Sequence, residues 1–388
     1  MRRLISASLL LAFAMAGCRD GVQPFNPDGR VITGDAYALT FGYGQDADPR
    51  WSPSGDTVLY HTTQFGGVPQ VSGVVLAVPA SGGAAVPILP DLQQPGGRPL
   101  VTPAYSPDGD RIAYMDLMNV DVPRTCSRTD RLPDGEEALP RCVSIQPLLD
   151  SARLRVRRIG DRHSVALDPA ISVRFPGPDP VQIAAGDGPW YEQFFPFQAR
   201  HRTEHALLFR PSWAPDGERI AFSDGLSIRI WNVDGHTLEP VPGTQDGVSV
   251  AWSPDGAWLA FTVLPRGDSV TYQCACPAGP GNTEFAYRTA YAAGPGILVI
   301  IRPDGSERLE LGEGEDPAWS PDGSSIYVRR GDAIVRVPRS GGAATPVAGT
   351  DRGRSPAVSP DGGRLAFSRR KPSDLTLDYD IWVVSTGQ

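Results

Sequence analysis

The chain has no glycine-rich phosphate loop and no dinucleotide-binding fingerprint, so none of its 388 residues form a recognisable nucleotide site. It has no basic surplus either. Lysine and arginine total 36 against 44 acidic residues, a formal net charge of −8, which argues against nucleic acid and against electrostatic adhesion to anionic lipid. The apolar run Leu4–Ala16 falls short of the roughly 20 residues that a permanent membrane helix needs. Cysteine is scarce, with five in the whole chain, and no cofactor is expected.

What is present is a repeat. Six times an aromatic or apolar residue enters a four-residue turn ending in glycine, and a short apolar strand follows. The copies are Trp51-Ser-Pro-Ser-Gly55, Tyr105-Ser-Pro-Asp-Gly109, Trp213-Ala-Pro-Asp-Gly217, Trp252-Ser-Pro-Asp-Gly256, Trp319-Ser-Pro-Asp-Gly323 and Val358-Ser-Pro-Asp-Gly362. Serine can bond the turn backbone, proline presets φ, aspartate tolerates the third position, and glycine takes the left-handed one. Repetition marks Asp108, Asp216, Asp255, Asp322 and Asp361, with Gly109, Gly217, Gly256, Gly323 and Gly362, as turn architecture and not as a catalytic set.

The turn prolines are separated by 54, 108, 39, 67 and 39 residues, so the basic unit is 39, close to one four-stranded propeller blade. Each motif supplies two strands and a second hairpin supplies two more. The last blade lacks its fourth strand, and Ala36–Phe41, which has no partner near the first motif, can complete it against Ile381–Val384. Such closure removes the exposed sheet edge. The expected fold is therefore all-β, a closed propeller of six four-stranded blades from about residue 35 to 388. Seven blades is the alternative, with Ile171–Phe175 and Val181–Ala184 as a hidden hairpin in the 108-residue gap.

The Trp-Ser-Pro-Asp-Gly turn followed by Ile-Ala-Phe resembles the WD-like propeller repeat of the TolB family, periplasmic proteins of the Tol–Pal system, and is similar to repeats of prolyl-oligopeptidase-type propellers. The resemblance covers nearly all of the chain after its first residues. It implies the propeller fold, but little about function, because the motif residues hold blades together. No room is left for the α/β domain that TolB carries before its propeller, or for a peptidase hydrolase domain.

The first residues read as a secretory signal: Arg2 and Arg3, an apolar run, then Met15-Ala-Gly-Cys18. Ala-Gly-Cys resembles the lipobox of bacterial lipoproteins, which would make residues 1–17 the signal and Cys18 a lipid-bearing terminus. Cleavage after Ala16 is the alternative. Loss of Arg2 and Arg3 takes the net charge from −8 to −10. Residues 18–34 then form a flexible tether.

Departures from the 39-residue unit point to function. Insertions at about 116–150 and 265–296 and a long connection at 169–209 leave the same face, opposite the Ser-Pro-Asp-Gly turns, where a rigid scaffold most often carries its site. The four remaining cysteines, Cys126, Cys142, Cys274 and Cys276, lie in the two insertions. In an exported chain they are disulfide candidates with three possible connectivities, a four-thiolate zinc site being the sharper alternative. The connection holds an aromatic cluster, Trp190, Tyr191, Phe194, Phe195 and Phe197, a candidate docking patch that could equally pack onto the propeller. His201, Glu204 and His205 match a His-x-x-Glu-His metallopeptidase pattern, but no supporting helix or third ligand is evident; a polar loop accounts for them, and no metal is expected. Gly247-Val-Ser-Val-Ala251 imitates a nucleophile elbow only in part.

Two functions follow. The first is a non-enzymatic scaffold, a monomer anchored through lipid in the outer membrane and facing periplasm or surface, that recognises an envelope protein or peptide on the decorated face. The alternative is an envelope hydrolase or lyase acting on glycans or peptides at the channel mouth. Converging Asp, Glu and His residues would favour the enzyme, and a broad apolar patch the scaffold.

Overall fold

The computed structural model describes residues 32–33, 36–41, 46–62, 74–92, 100–118, 125–127, 141–143, 151–161, 163–166, 171–172, 210–224, 227–264, 266–279, 282–293, 295–370 and 379–387. All regular structure among them is β, arranged as six antiparallel blade sheets and a seventh, separate sheet. The expected signal, aromatic cluster and His201–His205 pattern lie outside the described residues, as do Val181–Ala184 and the expected tether apart from Ile32–Thr33, which is strand and not free linker.

The first five blades run in chain order. Blade one is Asp46–Trp51, Thr57–Thr62, Val74–Pro79 and Val86–Pro87. Blade two is Leu100–Tyr105, Arg111–Met118, Ser151–Arg158 and Ser164–Ala166. Blade three spans Ser212–Trp213 to Thr237–Pro240, blade four Gly247–Trp252 to Leu309–Glu313, and blade five Glu315–Trp319 to Thr345–Pro346.

Blade six closes the ring. Gly353–Val358, Arg364–Arg370 and Tyr379–Ser385 are completed by Ala36–Ala38, with Tyr37 opposite Val383 and Ala38 opposite Trp382. Ile381 N–H donates to Thr40 Oγ1 at 2.9 Å, and Ile32–Thr33 adds a short fifth strand. The expected closure is present. The seven-blade alternative is overturned, because Ile171–Ser172 pairs with Ser151 and Ala152 of blade two instead of founding a blade.

The turn chemistry is physically explicit. In the second motif Ser106 Oγ accepts from Arg111 N–H at 2.9 Å, Gly109 N–H donates to Ser106 O at 2.9 Å, and Ser106 Oγ donates to Asp108. Ser320 Oγ and the Ser324 amide bond the carboxylate of Asp322 in the same way and hold its pKa down to about 2.

Neighbouring turns also interlock. A Cβ on Gly256 would sit 3.2 Å from Pro215 Cγ of the preceding blade, and its φ of +70° already excludes most side chains. Gly55 faces Pro360 in the same manner, which joins blade six to blade one.

The cores lie between blades. Val101, Leu154, Trp213 and Trp231 pack in one cluster, which spans blades two and three. Ala36, Tyr327, Phe367 and Trp382 share another, which spans five and six. Tryptophan indoles bond across two further seams, Trp51 Nε1 donating to Ala357 O of blade six at 2.9 Å and Trp319 Nε1 to Ala251 O of blade four at 3.1 Å. Each blade thus buries its faces only against its neighbours, as expected for a closed array.

The axial ring and the insertion sheet

The first strand of each blade lies nearest the propeller axis and runs toward its Ser-Pro-Asp-Gly turn. Three residues before the aromatic or apolar motif residue, all six carry a polar group: Asp48, Thr102, Arg210, Ser249, Asp316 and Ser355. Five of them have left-handed backbones, with φ of +55°, +50°, +53°, +56° and +55° for Asp48, Thr102, Ser249, Asp316 and Ser355. Each of these five strands breaks register there, as between Ala47 and Arg50 or Val248 and Ala251. A bulge sets two residues against one and re-aims a side chain. Non-glycine residues in this region store about 1–3 kcal/mol each, and such strain collects at sites.

Arg210 closes the ring. Its side chain is 1% exposed, yet it belongs to blade three and reaches acidic partners on blades one and five. Nε lies 3.0 Å from Asp48 Oδ1 and Nη1 3.6 Å from Asp316 Oδ1, while Nη2 donates to Ser355 Oγ of blade six. The Asp48 contact is at ion-pair distance without hydrogen-bond alignment, since Arg210 Nε and both Asp48 oxygens make no hydrogen bond among the described residues. Ser249 Oγ donates to Asp316 Oδ1 at 3.2 Å, and Ser355 N–H to Asp316 Oδ2 at 3.3 Å. One guanidinium therefore ties blade three across the axis to blades one, five and six.

More charge surrounds this lock. Arg50 Nη2 sits 3.2 Å from Asp48 Oδ1, and burial lowers the pKa of this arginine despite the nearby carboxylate. Arg329 pairs with Glu315. Burial would raise Asp316, but Arg210, Arg329 and Arg354 outweigh it and hold the carboxyl below its usual value. Both carboxylates of the ring are thus ion-paired, Asp48 with Arg50 and Arg210 and Asp316 with Arg210.

His61, fully buried at the end of the second strand of blade one, accepts the Thr102 N–H on Nδ1 at 3.4 Å. Its proton is therefore on Nε2, which has no hydrogen-bond partner among the described residues. Burial, reinforced by Arg210 and Arg354 and opposed by Asp48, lowers its pKa from 6.5 to about 4. The folded group thus stays neutral where the unfolded group charges. Stability should be fully present above pH 6.5 and fall toward pH 4 as the unfolded chain takes up one proton, by up to about 3 kcal/mol in all. Urea titrations at several pH values check this: His61→Gln should flatten the slope between pH 6.5 and 4, and an unchanged slope would contradict it.

The insertions leave from the ring end of the blades. That of blade two departs after Arg111–Met118 and that of blade four after Leu259–Val263, both second strands running away from the turns. Beyond the blades they meet. Thr125–Ser127, Arg141–Val143, Arg266–Gly279 and Asn282–Ala293 form one four-stranded sheet, in which Arg141 of the first insertion lies opposite Ala275 of the second in a parallel pairing. The expectation that these were loops is corrected: long-range pairing satisfies their backbone groups as strands. The two insertions pair with each other, as the expected union requires of them; most of the 169–209 connection lies outside the described residues, although Arg210 begins where it ends.

The structure brings together Asp48, His61, Thr102, Arg210, Ser249, Asp316 and Ser355, none of which the sequence reading selected as a site. The signal was present, as a polar residue three places before the motif aromatic in every blade. The fold and its site define a closed six-bladed β-propeller with an ion-locked axis, the fold that the TolB-type repeat implies.

No known family model matches the chain. A stretch of 133 residues is 29% identical to an uncharacterized peptidase, YuxL, of Bacillus subtilis (strain 168); it covers 30% of this chain and only 16% of that protein. Among solved structures, a TolB-assigned protein from Agrobacterium tumefaciens shares 13% identity with a TM-score of 0.45, over 90% of this chain and 92% of the other. An oligogalacturonate lyase from Vibrio parahaemolyticus shares 12% with a TM-score of 0.46, over 92% and 96%. Likenesses of this depth assign neither substrate nor partner.

Proposed function

We propose that this propeller is a lipid-anchored scaffold of the cell envelope that binds a protein or peptide partner on the face carrying the axial ring. The observation that carries this reading is the joint insertion sheet. Its outer strand Asn282–Ala293 pairs on one side only among the described residues, with Arg266–Gly279. A long strand edge offers backbone donors and acceptors to an extended peptide, which can add as a further strand. The ion-paired axis makes the propeller that carries the insertions a rigid base. Anchoring rests on Met15-Ala-Gly-Cys18, and residues 18–31, ahead of the strand Ile32–Thr33, would give the propeller reach from the membrane.

The convergence of Asp48, Asp316 and His61 supports a second reading, a hydrolase or lyase acting on glycans or peptides. It is the weaker one, because Arg210 neutralises both carboxylates and His61 is a poor base with a pKa of about 4.

Both readings face one experiment, cross-linked capture of the intact protein from native envelopes. Wild type should partition with detergent and retain a stoichiometric partner, whereas Cys18→Ser should move to the soluble fraction. A variant in which residues 119–150 are replaced by Asn-Gly keeps Met118 opposite Ser151, as a tight hairpin allows. It should fold and lose capture at least tenfold. Undiminished capture by this variant would remove the scaffold reading, and turnover of an envelope peptide or glycan abolished by His61→Gln would replace it.

A further inference from the structure

The insertion sheet places all four insertion cysteines on one face. Cys142 lies directly opposite Cys126 in the antiparallel pairing of the blade-two insertion. Arg141 opposite Ala275 in a parallel pairing puts Cys142 level with Cys276 on its other side. Directly opposed residues share a face, and so do Cys274 and Cys276, two apart on one strand. Three cysteines therefore form a row across three adjacent strands with Cys142 in the middle, and Cys274 stands beside the row.

This register decides among the connectivities. Neighbouring strands are about 4.8 Å apart, inside the roughly 4.4–6.8 Å between Cα atoms that a disulfide spans. Cys126 and Cys276 are two strand spacings apart, about 9.6 Å, which is too far. Cys274 lies two residues along the strand from Cys276 and so diagonal to Cys142, and Cys126 is farther from it still. Two simultaneous bridges would need Cys274 joined to Cys276 around a tight, strained ring. Cys142 is the only cysteine with two partners in reach.

We propose that three of the four cysteines form one exchangeable disulfide, with Cys142 as the partner shared by Cys126 and Cys276, and that Cys274 stays a thiol. Oxidation joins Cys126 and Cys142 with loss of two electrons and two protons to a disulfide oxidant, which leaves as two thiols. The Cys276 thiolate then attacks the sulfur of Cys142; the Cys126–Cys142 bond breaks, and Cys126 departs as thiolate with no net change in electrons. The first bridge closes the blade-two insertion on itself. The second ties it covalently to the blade-four insertion across blade three, so exchange decides whether the proposed docking sheet is one unit or two. The inference needs an oxidising compartment but no bound partner, so it stands or falls apart from the scaffold reading.

The test is disulfide mapping of the full chain from native envelopes, with free thiols trapped by alkylation before digestion without reduction. Cys126–Cys142 and Cys142–Cys276 peptides should occur in one preparation, with Cys274 alkylated throughout. Oxidised and reduced glutathione should bring the purified chain to the same ratio of the two species from either starting form. Cys142→Ser should leave all remaining insertion thiols alkylated, and Cys274→Ser should keep both bridges. A single form containing Cys126–Cys142 with Cys274–Cys276 would overturn the proposal. So would thiols protected by zinc until chelation, or four reduced thiols in native material.

Discussion

Replacing Arg210 with alanine should destabilise the propeller by about 3–5 kcal/mol, the usual cost of stranding a buried charge. The substitution removes the cation that lies 3.0 Å from Asp48 and 3.6 Å from Asp316, and leaves Ser355 without that donor. Arg50 remains beside Asp48, so the loss falls mainly on the ties between blade three and blades one, five and six. Combining Arg210→Ala with Asp48→Asn and Asp316→Asn should recover a substantial part, because the stranded charges go with their partner. Arg308→Ala, which breaks the exposed pair with Glu310 at 2.7 Å, is the control and should cost about 1 kcal/mol or less. Urea unfolding of the variants measures all three. A cost below about 1 kcal/mol for Arg210→Ala would mean that the axis is not held by this residue.

Deleting residues 1–41 should do more. Ala36, Ala38 and Leu39 are buried, and they belong to the clusters that join blade six to blades five and one. Without them Tyr379–Ser385 becomes an unpaired edge, and the one seam that joins the two ends of the array loses its cover. An open ring with an exposed strand invites edge-to-edge pairing. The expected result is loss of a cooperative thermal transition and appearance of aggregates on size exclusion, an effect comparable with the whole stability of a domain, about 5–15 kcal/mol. A peptide spanning residues 32–41 should restore part of the transition by occupying the vacant edge. A monomeric deletion variant with an unchanged midpoint would remove closure as the source of stability.

How much of this was legible in the sequence depends on how local the physics is. The Trp-Ser-Pro-Asp-Gly turn is written in adjacent residues, each with its own conformational reason, so blade number and spacing could be read directly. Closure was legible because Ala36–Phe41 had no other partner. The axial ring is hidden in the sequence because the repeat is strongest in the turn and the strand after it, whereas the polar position lies before the aromatic or apolar motif residue. Thr102-Pro103 and Ser249-Val250 look like ordinary strand residues until six first strands are superposed about one axis. Arg210 in particular sits at the end of a long connection, and only the ring closure brings it to Asp48. The insertion sheet was hidden for a different reason: Arg141 and Ala275 are far apart in the chain, and nothing local specifies their pairing. Residues 266–293 also interrupt the blade period, which makes them resemble a loop insertion and not strands.

The central claim is that recognition occurs on the ring face, at the insertion sheet. Amide hydrogen exchange, compared with and without the partner captured from native envelopes, tests it most directly. Added protection is expected in Arg266–Gly279 and Asn282–Ala293 and in the blade-two insertion, with the six turns of the opposite face unchanged. Protection at the Ser-Pro-Asp-Gly turns, with exchange in the insertion sheet unaltered, would contradict it.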